Sequence, residues 1–157
     1  NQVNLTESDV VKLARHSIAS VIIPDSIKLR LNNKVSDPLV NLDYDQMTQV
    51  FANLLKNAVD AMPGQGEIDF DLVDNHDQLI VSITDNGTGI PPENMDKLFT
   101  PFFTTKGPGK GTGLGLPIIY GIVKMHKGDI SVKSNIDPAK GPTGTTFTIT
   151  IPRNRLV

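Results

Sequence analysis

Hydrophobic positions along the chain alternate between two periods. In NLTESDVVKLARHSIASVI, Val10, Val11, Leu13, Ala14 and Ile18 form a helical stripe and Thr6 with Asp9 resembles a capping box, which predicts a helix over 7–19. Pro24 and Asp25 break it. IKLRL and PLVNLD follow as short apolar runs, predicted to be two strands paired with each other. Over 44–61, Met47, Val50, Phe51, Leu54, Leu55, Ala58 and Ala61 recur at helical spacing until PGQG stops them. EIDFDLV and QLIVSIT alternate with period two around the polar turn DNHD. They predict a hairpin, with Ile68, Phe70 and Leu72 on one face and Leu79, Val81 and Ile83 on another.

After Asp85 the texture changes. DNGTGIPPENMDKLFTPFFTTKGPGKGTG is too rich in Gly, Pro and Thr to be regular throughout, and predicts a long loop with one short helix near 93–98. Loops of this length inside compact domains are commonly functional lids or disordered segments. LGLPIIYGIVKMHKG resumes helical spacing, and DISVKS and TGTTFTITIP close the pattern as strands around DPAKGPTG. One layer of antiparallel or mixed sheet against one layer of helices accommodates this order.

Composition narrows the picture. A chain of 157 residues fits one domain and buries roughly 70% of its unfolded surface on folding. Cysteine is absent, which excludes disulfides and thiolate metal sites. The net charge of −2 argues against bulk nucleic acid as the main partner. No apolar run reaches the ~18 residues of a membrane span. The chain opens on Asn1 rather than Met, so a piece of a longer protein is expected, with function shared between this chain and another part.

Three stretches carry candidate chemistry. On the 44–61 helix, Gln46, Gln49, Asn53, Asn57 and Asp60 form a polar stripe opposite the apolar one. A solvated face explains such a stripe, yet Asn is a mediocre helix former, and exposed faces favour Glu, Lys or Gln. A carboxamide offers oxygen to a hard cation and NH2 to phosphate, which makes Asn57 a candidate to hold Mg²⁺ against a triphosphate. In LIVSITDNGTGI, the Asn-Gly pair reads as a hairpin turn, but GIPPENM follows it instead of a returning strand. Asp85 then sits at a strand end beside Gly87 and Gly89, where backbone can approach a flat ligand. A carboxylate there accepts from an exocyclic amine such as adenine N6 and disfavours guanine. In TTKGPGKGTGLGLPIIYG, Gly107, Gly109, Gly111, Gly113 and Gly115 alternate before a helix. Either a flexible linker or an anion site with Lys106 and Lys110 fits this string. Neither G-x-G-x-x-G nor the P-loop pattern matches, and no H-R-D kinase signature occurs.

Together these residues resemble the catalytic ATP-binding domain of sensor histidine kinases, within the GHKL ATPase superfamily. NLLKNAVDA is similar to the N box, DNGTGI to the G1 box, LFTPFFTTK to the F box, GTGLGLP to the G2 box and GTTFTITIP to the closing strand, over roughly 43–152. The F-box wording is most similar to the nitrogen-regulatory type. The resemblance implies a two-layer α/β sandwich of the Bergerat type, with a mixed, mostly antiparallel sheet. It also implies a single catalytic domain over 1–157, with a lid at approximately 99–115 and Mg-ATP between the N-box helix and that lid. Carried over, Asn57 matches the Mg²⁺ ligand, Asn53 its companion near metal and phosphates, and Asp60 a nucleotide-binding position. Asp85, Gly87, Gly89 and Ile90 match the adenine pocket, and Thr146 the adenine-side water network. Phe102 and Phe103 match the lid anchors. Thr105, Lys106, Lys110, Gly111, Thr112, Gly113, Leu114, Gly115 and Leu116 match nucleotide-contacting lid positions, with Lys106 as a catalytic γ-phosphate ligand. Thr100 and Pro117 depart from the family's usual Glu and Ala.

Other GHKL branches place a Glu four residues before the metal-binding Asn, as general base. Here Asn53 stands in that place and takes no proton. The resemblance therefore implies phosphoryl transfer to a histidine on a separate dimerisation/phosphoacceptor domain, with a response regulator downstream. A nucleotide-dependent switch is the alternative, and a genuine ATPase lacks its base. His16, His76 and His126 are expected to be surface or packing residues. The chain is expected to be cytoplasmic and monomeric, without nucleic-acid or membrane contact of its own, and a membrane anchor elsewhere in the full-length protein stays open.

Overall fold

In the computed structural model of the chain, residues 2–101 and 115–153 are described. The elements run β1 (Thr6–Asp9), α1 (Val10–Ala19), β2 (Ile27–Lys34), β3 (Leu39–Leu42), α2 (Tyr44–Asp60), β4 (Gly66–Asp74), β5 (Gln78–Asp85), α3 (Pro92–Met95), α4 (Gly115–Met125), β6 (Asp129–Asn135) and β7 (Gly144–Pro152). Five strands form a sheet in the order β2-β4-β5-β7-β6, and β1 pairs with β3 in a small antiparallel ribbon. Only β2 and β4 are parallel, so the sheet is mixed and mostly antiparallel. This is the expected two-layer α/β architecture.

Two expectations for the first 43 residues are corrected. The first helix starts at Val10, because Asp9 caps it: its carboxylate accepts from Val11 N–H at 2.9 Å and Lys12 N–H at 3.1 Å. An N-cap residue is extended, so Thr6, Glu7 and Ser8 lead into it as strand β1 and pair with Leu42, Asn41 and Val40. With β3 taken by β1, the expected pairing of β2 with β3 does not form, and β2 lies beside β4. Parallel neighbours need a long crossover, and α2 lies within this one.

A third correction concerns the hairpin. Phe70 lies opposite Ile83 and Leu72 opposite Val81, so both apolar sets share one face instead of two. The register continues into β7, with Ile83 opposite Phe147 and Val81 opposite Ile149. Against this face pack Leu13 and Ala14 of α1, Val50, Phe51, Leu54 and Leu55 of α2, and Ile119, Ile122 and Val123 of α4, all buried. Phe51 meets Phe70 edge-on at 5.4 Å. The opposite face is polar: Thr84 and Thr146 hydroxyls lie 2.9 Å apart, and Arg30 holds Asp69 and Glu67.

His126 fixes the start of α2. It is fully buried, its Nε2 accepts from Asp43 N–H at 3.0 Å, and its Nδ1–H donates to Ile122 O at 2.9 Å. Asp43 in turn caps α2 through Gln46 N–H. Both ring nitrogens are engaged, as a packing role requires.

Candidate functional site

The buried face of the sheet ends in a polar row. Along β5 the inward positions are Leu79, Val81, Ile83 and then Asp85; along β7 they are Ile151, Ile149, Phe147 and then Thr145. On β6, Ile130, Val132 and Ser134 face the same side, opposite Ile149, Phe147 and Thr145. Asp85, Thr145 and Ser134 therefore lie side by side across three strands.

Asp85 is 6% exposed and Thr145 is 5% exposed. Burial pushes the Asp85 carboxyl above its ordinary value, and hydrogen bonds from the Gly87 and Thr145 backbones partly oppose this. Gly87 N–H donates to Oδ1 at 2.9 Å. Among the described residues no ion pair reaches Asp85.

The loop after Asp85 is strapped to the protein on both sides. A Cβ at Gly87 would collide with Ala61 O at the end of α2, and one at Gly89, where φ is +83°, would collide with Asn135 O at the end of β6. Only glycine permits both approaches. Thr143 Oγ1 donates to Gly87 O at 2.8 Å, and Ile90 N–H donates to Ser134 Oγ at 2.7 Å. Both glycines thus make room for the chain's own backbone beside Asp85.

The C-terminal end of helix α2, which carries Asn57 and Asp60 of the polar stripe, reaches the loop after Asp85 through Ala61. Asn53 and Asn57 are half-buried and Asp60 is exposed, so the stripe is not a uniformly solvated face. Asn57 O accepts from Ala61 N–H at 3.1 Å, one turn before the Gly87 contact. Gln46 Oε1, on the first turn, is buried without a partner among the described residues. No cluster of three or more His, Asp or Glu suited to a metal occurs among the described residues. Asn53 and Asn57 instead place two carboxamides on successive turns of α2, and a carboxamide oxygen is a donor of the type a hard cation takes.

The remaining predicted residues divide. Ile90 is half-buried against the core, and Gly115 and Leu116 open α4, with Leu116 packed on the core. Thr146 is corrected. It points to the outer face and bonds Thr84, because side chains alternate along a strand and Thr145 holds the inward position beside Asp85. Phe102, Phe103, Thr105, Lys106, Lys110, Gly111, Thr112, Gly113 and Leu114 lie outside the described residues, as does most of the expected lid. Thr145 and Ser134 were missed, although the parity of Phe147, Ile149 and Ile151 marks Thr145 as inward.

The model for "Histidine kinase-, DNA gyrase B-, and HSP90-like ATPase" matches residues 42–155. Sporulation kinase A of Bacillus subtilis (strain 168) is 38% identical over 129 residues, covering 82% of this chain and 20% of that protein. Sensor histidine kinase ZraS of Escherichia coli (strain K12) is 36% identical over 150 residues, covering 93% of this chain and 30% of that protein. Among solved structures, the mycobacterial sensor histidine kinase MprB superposes with a TM-score of 0.80 at 27% identity, covering 98% of this chain and all of that one. The chain thus spans 20% to 30% of the length of these curated relatives.

Proposed function

Because the chain belongs to the histidine kinase-, DNA gyrase B- and HSP90-like ATPase family, we propose that it binds Mg-ATP and donates the γ-phosphate to a histidine on a separate phosphoacceptor domain. The observation that carries this reading is Asp85, a buried carboxylate that receives backbone N–H groups and no cation among the described residues. Its remaining acceptor capacity suits the N6 amine of adenine, whereas guanine would oppose it with an oxygen.

Asn57, with Asn53 beside it, would hold Mg²⁺, which supplies charge neutralisation on the β- and γ-phosphate oxygens. In the transfer, an imidazole nitrogen bonds to the γ-phosphorus as the bridging P–O bond breaks, ADP leaves with that oxygen, and the imidazole releases its proton. The chain's own residues bind and orient. Asn53 offers no base to activate water, which favours transfer over hydrolysis. Lys106 and Lys110 are assigned to the phosphates by the resemblance alone. His126 is buried with both nitrogens engaged, and exposed His16 sits against Tyr44, its Nδ1 3.3 Å from the hydroxyl. Neither suits an acceptor, and His76 lies exposed in the turn between β4 and β5; we read the acceptor as a histidine elsewhere in the parent protein, with a response regulator beyond it. No described helix is long and apolar enough to cross a membrane. A cytoplasmic, monomeric catalytic unit is our reading.

The test is binding and turnover in one sample. Adenine-selective binding of Mg-ATP with negligible hydrolysis supports the proposal; brisk hydrolysis, or equal affinity for GTP, overturns it. Asn57→Ala should weaken magnesium-dependent ATP binding by at least tenfold while leaving the thermal melt within a few degrees. An unchanged magnesium response would remove the metal assignment.

A further inference from the structure

Ser134 is the third member of the polar row, and its hydroxyl is the junction of three chain segments. Its Oγ lies 2.7 Å from Ile90 N, 2.9 Å from Gly144 O and 2.9 Å from Thr145 Oγ1. Only one arrangement of protons serves all three contacts. The backbone N–H of Ile90 can only donate, and the carbonyl of Gly144 can only accept, so the single Ser134 proton goes to Gly144 O. The hydroxyl between Ser134 and Thr145 must then come from Thr145. Its proton is thereby drawn away from Asp85, its cross-strand neighbour, and its oxygen is left with lone pairs alone.

We propose that Ser134 is a specificity-positioning residue: by taking the Thr145 proton, it makes the Asp85–Thr145 edge of the pocket acceptor-only. An acceptor-only edge welcomes the two N–H groups of an exocyclic amine and repels the oxygen that guanine carries at that place. The same hydroxyl holds Ile90 and thus the loop that follows Asp85. This inference rests on the reading of Asp85 as the base-recognising residue, and goes beyond it by naming what sets the polarity of the neighbouring hydroxyl.

The experiment compares ATP and GTP dissociation constants, with magnesium, for the 157-residue chain and its variants. Ser134→Ala frees the Thr145 proton and should narrow the ATP-over-GTP preference about tenfold, mainly through weaker ATP binding. Ser134→Thr restores a hydroxyl and should restore the preference. In a Thr145→Ala background, where no hydroxyl remains to be steered, Ser134→Ala should leave the preference unchanged. Equal losses for ATP and GTP, or the same narrowing in both backgrounds, would reduce Ser134 to a structural residue and overturn the proposal. Asp85→Asn separates the two levels. Preference lost in Asp85→Asn but kept in Ser134→Ala sinks only the role of Ser134; preference kept in Asp85→Asn sinks the base-reading role beneath it. Should Ser134→Ala fail to show a cooperative melt, Ser134→Cys, of nearly the same shape and a weak hydrogen-bonding group, is read by the same criteria.

Discussion

Asp74 and Asp85 end adjacent antiparallel strands, and so stand at opposite ends of the sheet. Both are hidden: the Asp74 side chain is 6% exposed and Asp85 is 6% exposed. Their surroundings differ. Burial pushes Asp74 up, but the N–H groups of Ser36 and Asp37, the Ser36 hydroxyl and the Arg153 guanidinium outweigh it and hold the carboxyl below its ordinary value. Arg153 also donates to Asp37 O at 2.8 Å, so the carboxylate ties three segments together. Among the described residues Asp85 has backbone donors only, and burial prevails. Burial alone therefore says nothing about role. A carboxylate saturated with donors is a structural tie, whereas one left short of donors is poised to take them from a ligand.

Exchanging the two aspartates' side chains for neutral ones should separate stability from recognition. Asp74→Ala strips four donors of their acceptor and should cost about 3 kcal/mol of folding stability in a urea titration, with ATP affinity unchanged. The sign of its pH dependence follows from the lowered native pKa. Its stabilisation is complete above the unfolded carboxylate value and drains away as pH falls through the native one, so the acid limb of the stability profile should be shallower in Asp74→Ala. An equal loss of nucleotide affinity would break the comparison.

Asp85→Asn should do the reverse, lowering ATP affinity about 30-fold, or about 2 kcal/mol, while leaving the melt at neutral pH unchanged or raised. The native pKa here is raised, so whatever stability this group contributes is present in acid and lost as pH rises through that value. The amide removes the loss. Destabilisation like that of Asp74→Ala would make Asp85 a second structural tie. Smallest of all is Thr146→Val, which should change ATP affinity by less than twofold, because that hydroxyl faces Thr84 on the outer side. A several-fold effect in nucleotide titration would mean that the outward placement does not hold in solution.

Helical and strand periodicities were enough to locate α2, the β4–β5 hairpin and β7, because each buries one face and period follows backbone geometry. The quoted motifs were enough for the family, and alternation along β7 would have been enough to choose Thr145 over Thr146. Partner choice was not local. Whether β3 pairs with β2 or with β1 depends on Asp9 capping α1 and on α2 carrying the chain over to β4, neither of which periodicity reports. The clearest case is the pair of aspartates themselves. Asp74-Asn75 and Asp85-Asn86 are the same dipeptide, each following an alternating apolar strand. By itself the sequence determined that both would end a strand. Only the tertiary structure decided that Asp74 would meet Ser36 and Arg153, while Asp85 would meet Thr145 and, through it, Ser134. A side chain's hydrogen-bond partners are set by which strands become neighbours, and that is a property of the fold as a whole.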